Sequence, residues 1–452
     1  VIRFKAQKPA VLLMLLAFIF PPAAGAQSSP QASFSDVLVV GGTPAGVAAA
    51  IAAARGGATV SLVSAAGDLG GELTDAAMDQ WDLNLAPGGG PVQHDPVFEE
   101  LYARLGDAFT PASAARTFAA MVSAEPRISV RYDEVPSGVS ESAVPAASPG
   151  ETGEKRHVDA VAFRNVRDGS LLMLRARYVI DATDDGDVAV LAGARYDVGR
   201  QDSGLDERMQ AVTQMFAFDG IDWPLLAATY DVRRYGYGGV VGPRAWGYSK
   251  VMRDYRSANA NVLVRDLNLG RMPDGSVSVN AVDVCGIDGR DPAQLEIARR
   301  ETEVEAGRLA DYLRERVPGF ARARVGWFAP AVYVRETRHI VGVERLTTAD
   351  VWNGRIPADS IGLASYPIDL HPVDPTDEPA YAPVRHVYGI PFGALEPAGL
   401  ANVLLAGPAI SASHLASGSA RVVPTTIEEG EADGNAFASM LTGRGWLGLR
   451  SL

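Results

Sequence analysis

The sequence predicts an α/β protein: a parallel-sheet domain, discontinuous along the chain, with a mixed α+β domain inserted into it. Three observations carry this reading. A short apolar run at 36–40 (DVLVV) enters the glycine-rich turn GGTPAG at 41–46 and leaves it as the alanine-rich helix former AGVAAAIAAAR. A second strand pattern, ATVSLV, follows at 58–63, so strand, turn, helix and strand succeed one another as in a βαβ unit. Far downstream a helical stretch at about 424–442 closes the pattern, while residues 215–385 mix strands, aromatics and loops without internal repeat. The expected sheet domain is therefore residues 34–214 with 386–445, and the insert is 215–385.

The remaining elements follow in chain order. Arg3, Lys5 and Lys8 precede an apolar stretch at 10–20, and Ala24-Gly25-Ala26 gives small residues before Gln27. This is the layout of a cleaved export signal over residues 1–26, and the apolar run is shorter than the ~20 residues a membrane span needs. No twin arginine precedes the run and no cysteine follows it, so the expected route is general export to the periplasm or outside. Residues 86–95 read as loop, 112–124 as helix and 128–132 as strand. Residues 136–156, rich in Ser, Pro, Gly, Glu and Ala, read as a flexible low-complexity excursion. A hairpin over 158–181 turns at Arg-Asp-Gly-Ser. A long helix over 292–316 opens at Asp291-Pro292, a capping residue with proline in the first turn.

Composition narrows the function. The 452 residues are 47% hydrophobic and 21% charged, which is the profile of a globular protein with a sizeable core. The formal charge of −13 argues against nucleic acid and anionic membrane as partners, because both require basic patches. The single cysteine, Cys285, excludes an internal disulfide framework, a thiolate metal cluster and a dithiol redox pair. Redox chemistry here must come from a cofactor. No metal-ligand spacing such as H-E-x-x-H occurs.

The GGTPAG turn sits where a dinucleotide fingerprint belongs, after a strand and before a helix. Gly41 permits the tight turn and Gly46 the close packing of helix on sheet. The helix start then points free N–H groups and a partial positive charge at a pyrophosphate. The middle glycine of G-x-G-x-x-G is Thr43 here, which narrows the approach but offers a hydroxyl. The second strand ends at Ser64, where an acid usually binds the adenosine ribose; serine can still bond a ribose hydroxyl. Gly70-Gly71 follows soon after.

From GGTPAGVAAAIAAARGGATVSLV through GDLGGELTD, the chain resembles the bacterial FAD-dependent oxidoreductases of the glutathione-reductase-like class, and in particular a subgroup often labelled putative xanthan lyase. Further blocks resemble it in family order: RYVIDATDDGD at 177–187, VRETRHIVGVERL at 334–346, DSIGLASYPIDLH at 359–371, and 388–434 from YGIPFGALEP through VVPTTIEEGEADG. The resemblance implies a Rossmann-like FAD domain. Gly41, Gly42, Thr43, Pro44, Ala45 and Gly46 would line the pyrophosphate, Ser64 the ribose, and Gly70 and Gly71 the pyrophosphate and flavin arm. Val135 would hold adenine through its backbone. Ala182 and Thr183 would meet the ribityl or phosphate region, Ala406 and Gly407 would end a strand beside the ribityl chain, and Val423 and Pro424 would begin a helix under the flavin. The chain departs from the pattern at Pro408, Glu431 and Asp433.

Among candidate catalytic residues, His414 is placed to act as base or to orient a substrate, and Arg421 to hold an anionic group or steady reduced flavin. His371 lies two positions after Asp369, so on a strand the carboxylate would orient the imidazole. Arg335, Glu336, Arg338 and His339 crowd one expected strand, with Arg335 and His339 on one face and Glu336 and Arg338 on the other; Tyr366 is a candidate phenolic donor. His94, His157 and His386 read as loop residues. Together these features imply an exported FAD-dependent oxidoreductase passing hydride between a small organic or carbohydrate-derived substrate and flavin N5, its redox partner left open. The alternative is a non-enzymatic carbohydrate-associated binding protein that keeps the fold.

Overall fold

The computed structural model describes residues 34–146, 154–377 and 380–443. The expected export signal, residues 1–26, lies outside them. The helices used below are α1 (Pro44–Arg55), α2 (Pro96–Leu105), α3 (Pro292–Arg316), α4 (His414–Ala420) and α5 (Val423–Leu441). No helix among the described residues is long and apolar enough to cross a membrane.

β1 (Phe34–Val40) lies between two parallel neighbours, β2 (Val60–Val63) and the C-terminal half of β6 (Leu171–Asp181). β3 (Ile128–Arg131) extends the sheet beyond β2, and β7 (Val403–Leu405) runs parallel to the end of β6. A strand covered on both faces needs successive rather than alternate apolar residues, and Val37, Leu38, Val39 and Val40 are all buried. α1 covers the sheet. Thr43 caps it by accepting the Gly46 N–H, and Pro44 occupies the first turn, where a missing N–H is harmless. α5 then packs on α1 at close range. A Cβ on Gly430 would lie 2.0 Å from the Ala45 carbonyl oxygen, and one on Gly434 2.3 Å from that of Ala49.

The low-complexity stretch is not a loose excursion over its described part. Residues 134–145 form β4 (Glu134–Pro145), antiparallel to β5 (Glu154–Asn165), which pairs in turn with β6. β5 supplies backbone partners along its whole length, so a poor strand composition still forms a ladder. The tip, residues 147–153, lies outside the described residues. His157, expected in a loop, is on β5.

A six-stranded antiparallel sheet forms the second layer system, in the order Arg324–Phe328, Phe216–Asp219, Val277–Val279, Leu267–Arg271, Arg244–Gly247, Gly238–Val241. One face carries Phe216, Phe218, Leu267, Leu269, Val277 and Val279 into a core shared with Leu309 and Leu313 of α3. The other docks on the parallel-sheet domain. Ser278 donates to Asp79 Oδ1 at 2.7 Å, and Arg244 Nη1 to the Trp81 carbonyl at 3.2 Å. The expected insert, 215–385, is divided. Ile340, Leu346, Val351, Ile361, Ala364 and Ile368 belong to the first core. They do so because Ser360–Ala364 pairs with Tyr388–Pro391 and Leu346 bridges to Ala412, beyond the expected boundary.

Candidate active site

The C-terminal ends of β1, β6 and β7 meet at one sheet edge, the place where open α/β sheets take ligands. Gly41 ends β1 with φ +125°, and a Cβ there would lie 2.1 Å from the Ala182 oxygen. Ala182 and Thr183 follow β6. Gly407 follows β7, tied to β6 by the Ala406 N–H on the Asp181 carbonyl. Gly70 and Gly71, both at positive φ, fold back onto the turn, with the Gly70 N–H on the Gly42 carbonyl. Glu134 N–H reaches the Ser64 carbonyl, so β4 starts across the end of β2 with Val135 as its second residue. Val423 and Pro424 start α5, whose Gly430 lies against Ala45.

This edge fits an extended dinucleotide. The N–H groups of Gly42 and Thr43 find no protein acceptor among the described residues, and that of Ala45 is a first-turn donor with no intrahelical partner. Gly407 has φ +107° and open space where a Cβ would stand. Some expected contacts change character. The Thr43 hydroxyl donates to Ala182 O and accepts from Gly46 N, so it is committed to the turn rather than free to donate to a phosphate. The Ser64 hydroxyl gives its hydrogen to Asp68 O and accepts from Ala66 N, leaving only acceptor capacity toward a ribose. The Thr183 hydroxyl donates to Asp181. The Gly407 N–H goes to Glu429 Oε2 at 2.8 Å, and Pro408 has none, so this strand end contributes shape rather than donors.

A polar cluster gathers around Arg421, at the junction of α4 and α5. Arg421, at the C-cap of α4, is 6% exposed; Nη1 donates to the Tyr333 hydroxyl at 3.0 Å, and Nη2 to the Asp369 carbonyl at 3.1 Å and carboxylate at 3.4 Å. Burial works against its charge, but Tyr333, Asp369, Tyr366 and Asp82 outweigh it and hold the guanidinium protonated. Burial also raises the carboxyl of Asp82, reinforced by Asp369 and opposed by a hydrogen bond with Tyr366. The Tyr366 hydroxyl is pushed up by the same burial and by Asp82. From the Gly70–Gly71 loop comes Glu72, which burial pushes up to about 7. Asp184, after Ala182-Thr183, is reached by solvent yet crowded by protein, and burial with Glu72 beside it raises its carboxyl well above the ordinary range.

The histidines distribute differently from expectation. His371 is oriented by Asp283, Nδ1 to Oδ1 2.9 Å, rather than by Asp369, whose Oδ2 is 3.9 Å from Nε2. The chain turns after the strand Ile368–Leu370, so the two-residue alternation stops before His371. Arg335 is fully enclosed; it donates to the Ala211 carbonyl and lies 3.7 Å from Asp283. Only Arg338–Ile340 of the expected strand is extended ladder. The irregular backbone at 335–337 brings Glu336 and His339, expected on opposite faces, into contact at 2.8 Å. Glu336 also meets His414 Nδ1 at 2.6 Å. Tyr333, Asp82, Asp283 and Glu72 were not singled out by sequence. Tyr333 sits one residue before the block at 334–346, and the others are single acids in loops or short strands, so only their spatial convergence marks them.

No curated protein matches the sequence. Among solved structures, the chain is similar to the flavin-dependent brominase Bmp2 (11% identity, 92% of this chain and 81% of that one, TM-score 0.44). It is similar to a geranylgeranyl bacteriochlorophyll reductase-like protein from Thermoplasma acidophilum (12%, 92% and 81%, 0.42). A third is OxyS anhydrotetracycline hydroxylase from Streptomyces rimosus (11%, 91% and 63%, 0.44), of which the chain spans less than two thirds. The family described as FAD dependent oxidoreductase matches residues 36–444, nearly the whole described chain. The protein belongs to the FAD dependent oxidoreductase family, an enzyme of α/β flavoprotein fold with FAD as its cofactor.

Proposed function

We propose that the protein is an exported flavoenzyme that passes hydride between a small hydroxylated substrate, organic or carbohydrate-derived, and flavin N5. FAD, when bound, supplies the two-electron acceptor. The observation that carries the reading is the Arg421 cluster. A buried guanidinium and the positive end of α5 lie side by side, flanked by Tyr333, Tyr366, Asp82 and Asp369. Nη1 and Nη2 of Arg421 are taken by Tyr333 and Asp369 and its Nε is buried without a partner, so an anionic substrate would have to displace a carboxylate to reach the outer nitrogens. The surrounding carboxylates and phenols instead suit a neutral substrate that both donates and accepts hydrogen bonds, such as a polyol. The basic and apolar leader at residues 3–20 supports export.

The test is a spectrum of the purified mature protein after FAD addition, then an anaerobic panel of alcohols, sugars, amines and carboxylates watched for flavin bleaching. Bleaching by hydroxylated members, lost in Arg421→Met, is expected. A protein that takes up no flavin, or whose flavin bleaches with dithionite but with no panel member, overturns the reading. Recovery of the unprocessed chain in the cytoplasm overturns export.

A further inference from the structure

Outside the Arg421 cluster, Glu336 is a deeply enclosed carboxylate. Its side chain has no exposed surface. One oxygen, Oε1, touches two imidazoles, His339 Nε2 at 2.8 Å and His414 Nδ1 at 2.6 Å; the other, Oε2, accepts the Gln210 N–H at 3.2 Å. Burial pushes this carboxyl upward, but the bonds from His339 and His414 outweigh burial and hold it down at about 2. An ionised carboxylate has no hydrogen to give, so both ring nitrogens that touch it must carry one. A neutral imidazole protonated on Nδ1 presents a bare Nε2.

The two rings are not equivalent. His339 turns its remaining nitrogen, Nδ1, into protein, where it is buried without a partner. His414 keeps a 7% exposed surface, and its Nε2 is not among the sealed atoms. The residues around Glu336 and His414 link several elements of the candidate site. His414 opens α4, whose C-cap is Arg421. Thr337, next to Glu336, donates to Asp185 on the loop that follows Ala182 and Thr183. Gln210, which bonds Glu336 through its N–H, accepts the His371 N–H with its side chain at 3.0 Å.

We propose that Glu336 is the positioning residue for His414, fixing Nδ1–H so that Nε2 is offered as proton acceptor to the substrate hydroxyl. This rests on the hydride reading above. As the substrate C–H pair leaves as hydride to the flavin, the O–H bond breaks, its electron pair closes the new C=O bond, and the proton passes to Nε2. The substrate is oxidised by two electrons, the flavin is reduced by two, and Glu336 stabilises the imidazolium.

The test uses the FAD-loaded full chain labelled with 15N-histidine. Two-bond 1H–15N spectra report the tautomer of each ring, and His414→Gln assigns the His414 signals. The expected pattern is Nδ1–H with bare Nε2 at His414, shifting toward the Nε2–H form in Glu336→Leu, which removes the acceptor. An Nε2–H tautomer in the unmodified chain overturns the proposal even if Glu336→Leu fails to fold, and so does an unchanged tautomer in a folded Glu336→Leu. With any bleaching substrate, His414→Gln should retain flavin and slow bleaching by about 10² to 10⁴-fold; bleaching at the original rate overturns the proton-acceptor role. If no substrate bleaches the unmodified enzyme, the hydride reading fails while the tautomer still decides the role of Glu336.

Discussion

Gly430→Ala tests whether the close approach of two helices shapes the cofactor edge. An alanine Cβ at this position would stand 2.0 Å from the Ala45 carbonyl oxygen, 2.8 Å from its carbon and 3.1 Å from its Cα. All three are backbone atoms, so no rotamer change relieves the clash. Reaching an ordinary separation requires α1 and α5 to part by more than about 1 Å. Overpacking of this kind costs about 3 kcal/mol at the upper end of its usual range, against a helix-propensity gain of about 1 kcal/mol for replacing glycine. The net loss is about 2 kcal/mol, a fall of about 2 °C in melting temperature for a protein of this size. The displaced residue, Ala45, is in the first turn of α1, beside the free N–H groups of Gly42 and Thr43. Losing the alignment of one such donor is worth about 1.4 kcal/mol, so FAD affinity should fall about tenfold. Thermal melting with and without FAD, together with a flavin-fluorescence titration, measures both. The control is Gly307→Ala in α3, where no atom lies within 4 Å of the new Cβ; it should stabilise by up to about 1 kcal/mol without touching FAD binding. If Gly430→Ala melts with the original chain and binds FAD equally, the helix contact does not set the cofactor edge.

Burial pushes the Asp79 carboxyl up to about 6, because Ser278 bonds only Oδ1 and Oδ2 has no partner. The folded state therefore holds a proton that the unfolded chain releases near pH 4, and this contribution to stability is lost as pH rises from about 4 to 6. Asp79→Asn should remove that loss, of order 3 kcal/mol, leaving the variant more stable at pH 7 and with a flatter melting profile between pH 4.5 and 8. Parallel profiles for the two proteins would contradict the assignment. In the second core, Tyr255 donates to Glu305, a residue 1% exposed whose other oxygen accepts the Ala258 N–H. Tyr255→Phe should destabilise by about 1–3 kcal/mol in chemical denaturation, because a buried carboxylate oxygen loses its main donor; an unchanged midpoint would show that Arg308, 3.7 Å away, suffices.

The elements best read from sequence are those in which local chemistry and burial agree. The β1–α1–β2 unit declares itself through a fully apolar strand, a threonine cap, a first-turn proline and glycines that the close contacts require. The helix Pro292–Arg316 is marked by its Asp291 cap. β4 was hidden because its residues have no strand character of their own and extend only because β5 lies beside them. The polar clusters around Arg421 and Glu336 were legible in part. Arg421, His371, Arg335 and His414 stand in dense polar blocks, but their partners are distant in sequence: Asp283 for His371, Tyr333 for Arg421. At 335–339 alternation assigned the wrong faces because three of the five residues are not strand, and that local irregularity makes the Glu336–His339 contact.

The acidic residues of α5, which depart from the small and neutral pattern expected of such a helix, follow a common logic. Glu428 accepts the Leu363 N–H, Glu429 that of Gly407, and Glu431 that of Val97 in the first turn of α2. Each carboxyl satisfies a backbone donor on a different segment, while Gly430 and Gly434 keep the side facing α1 bare. The helix thus presses against the dinucleotide turn with one face and ties three other segments to it with the others. Asp433 is the exception: both its oxygens are buried without partners, near Glu429, and burial raises both carboxyls well above the ordinary range. Two carboxyls one helical turn apart in such surroundings disfavour each other's charge, and the same burial acts on Glu428 and Glu431. Packing thus works against negative charge along the helix, while its N-terminal end, with its partial positive charge, follows directly on Arg421.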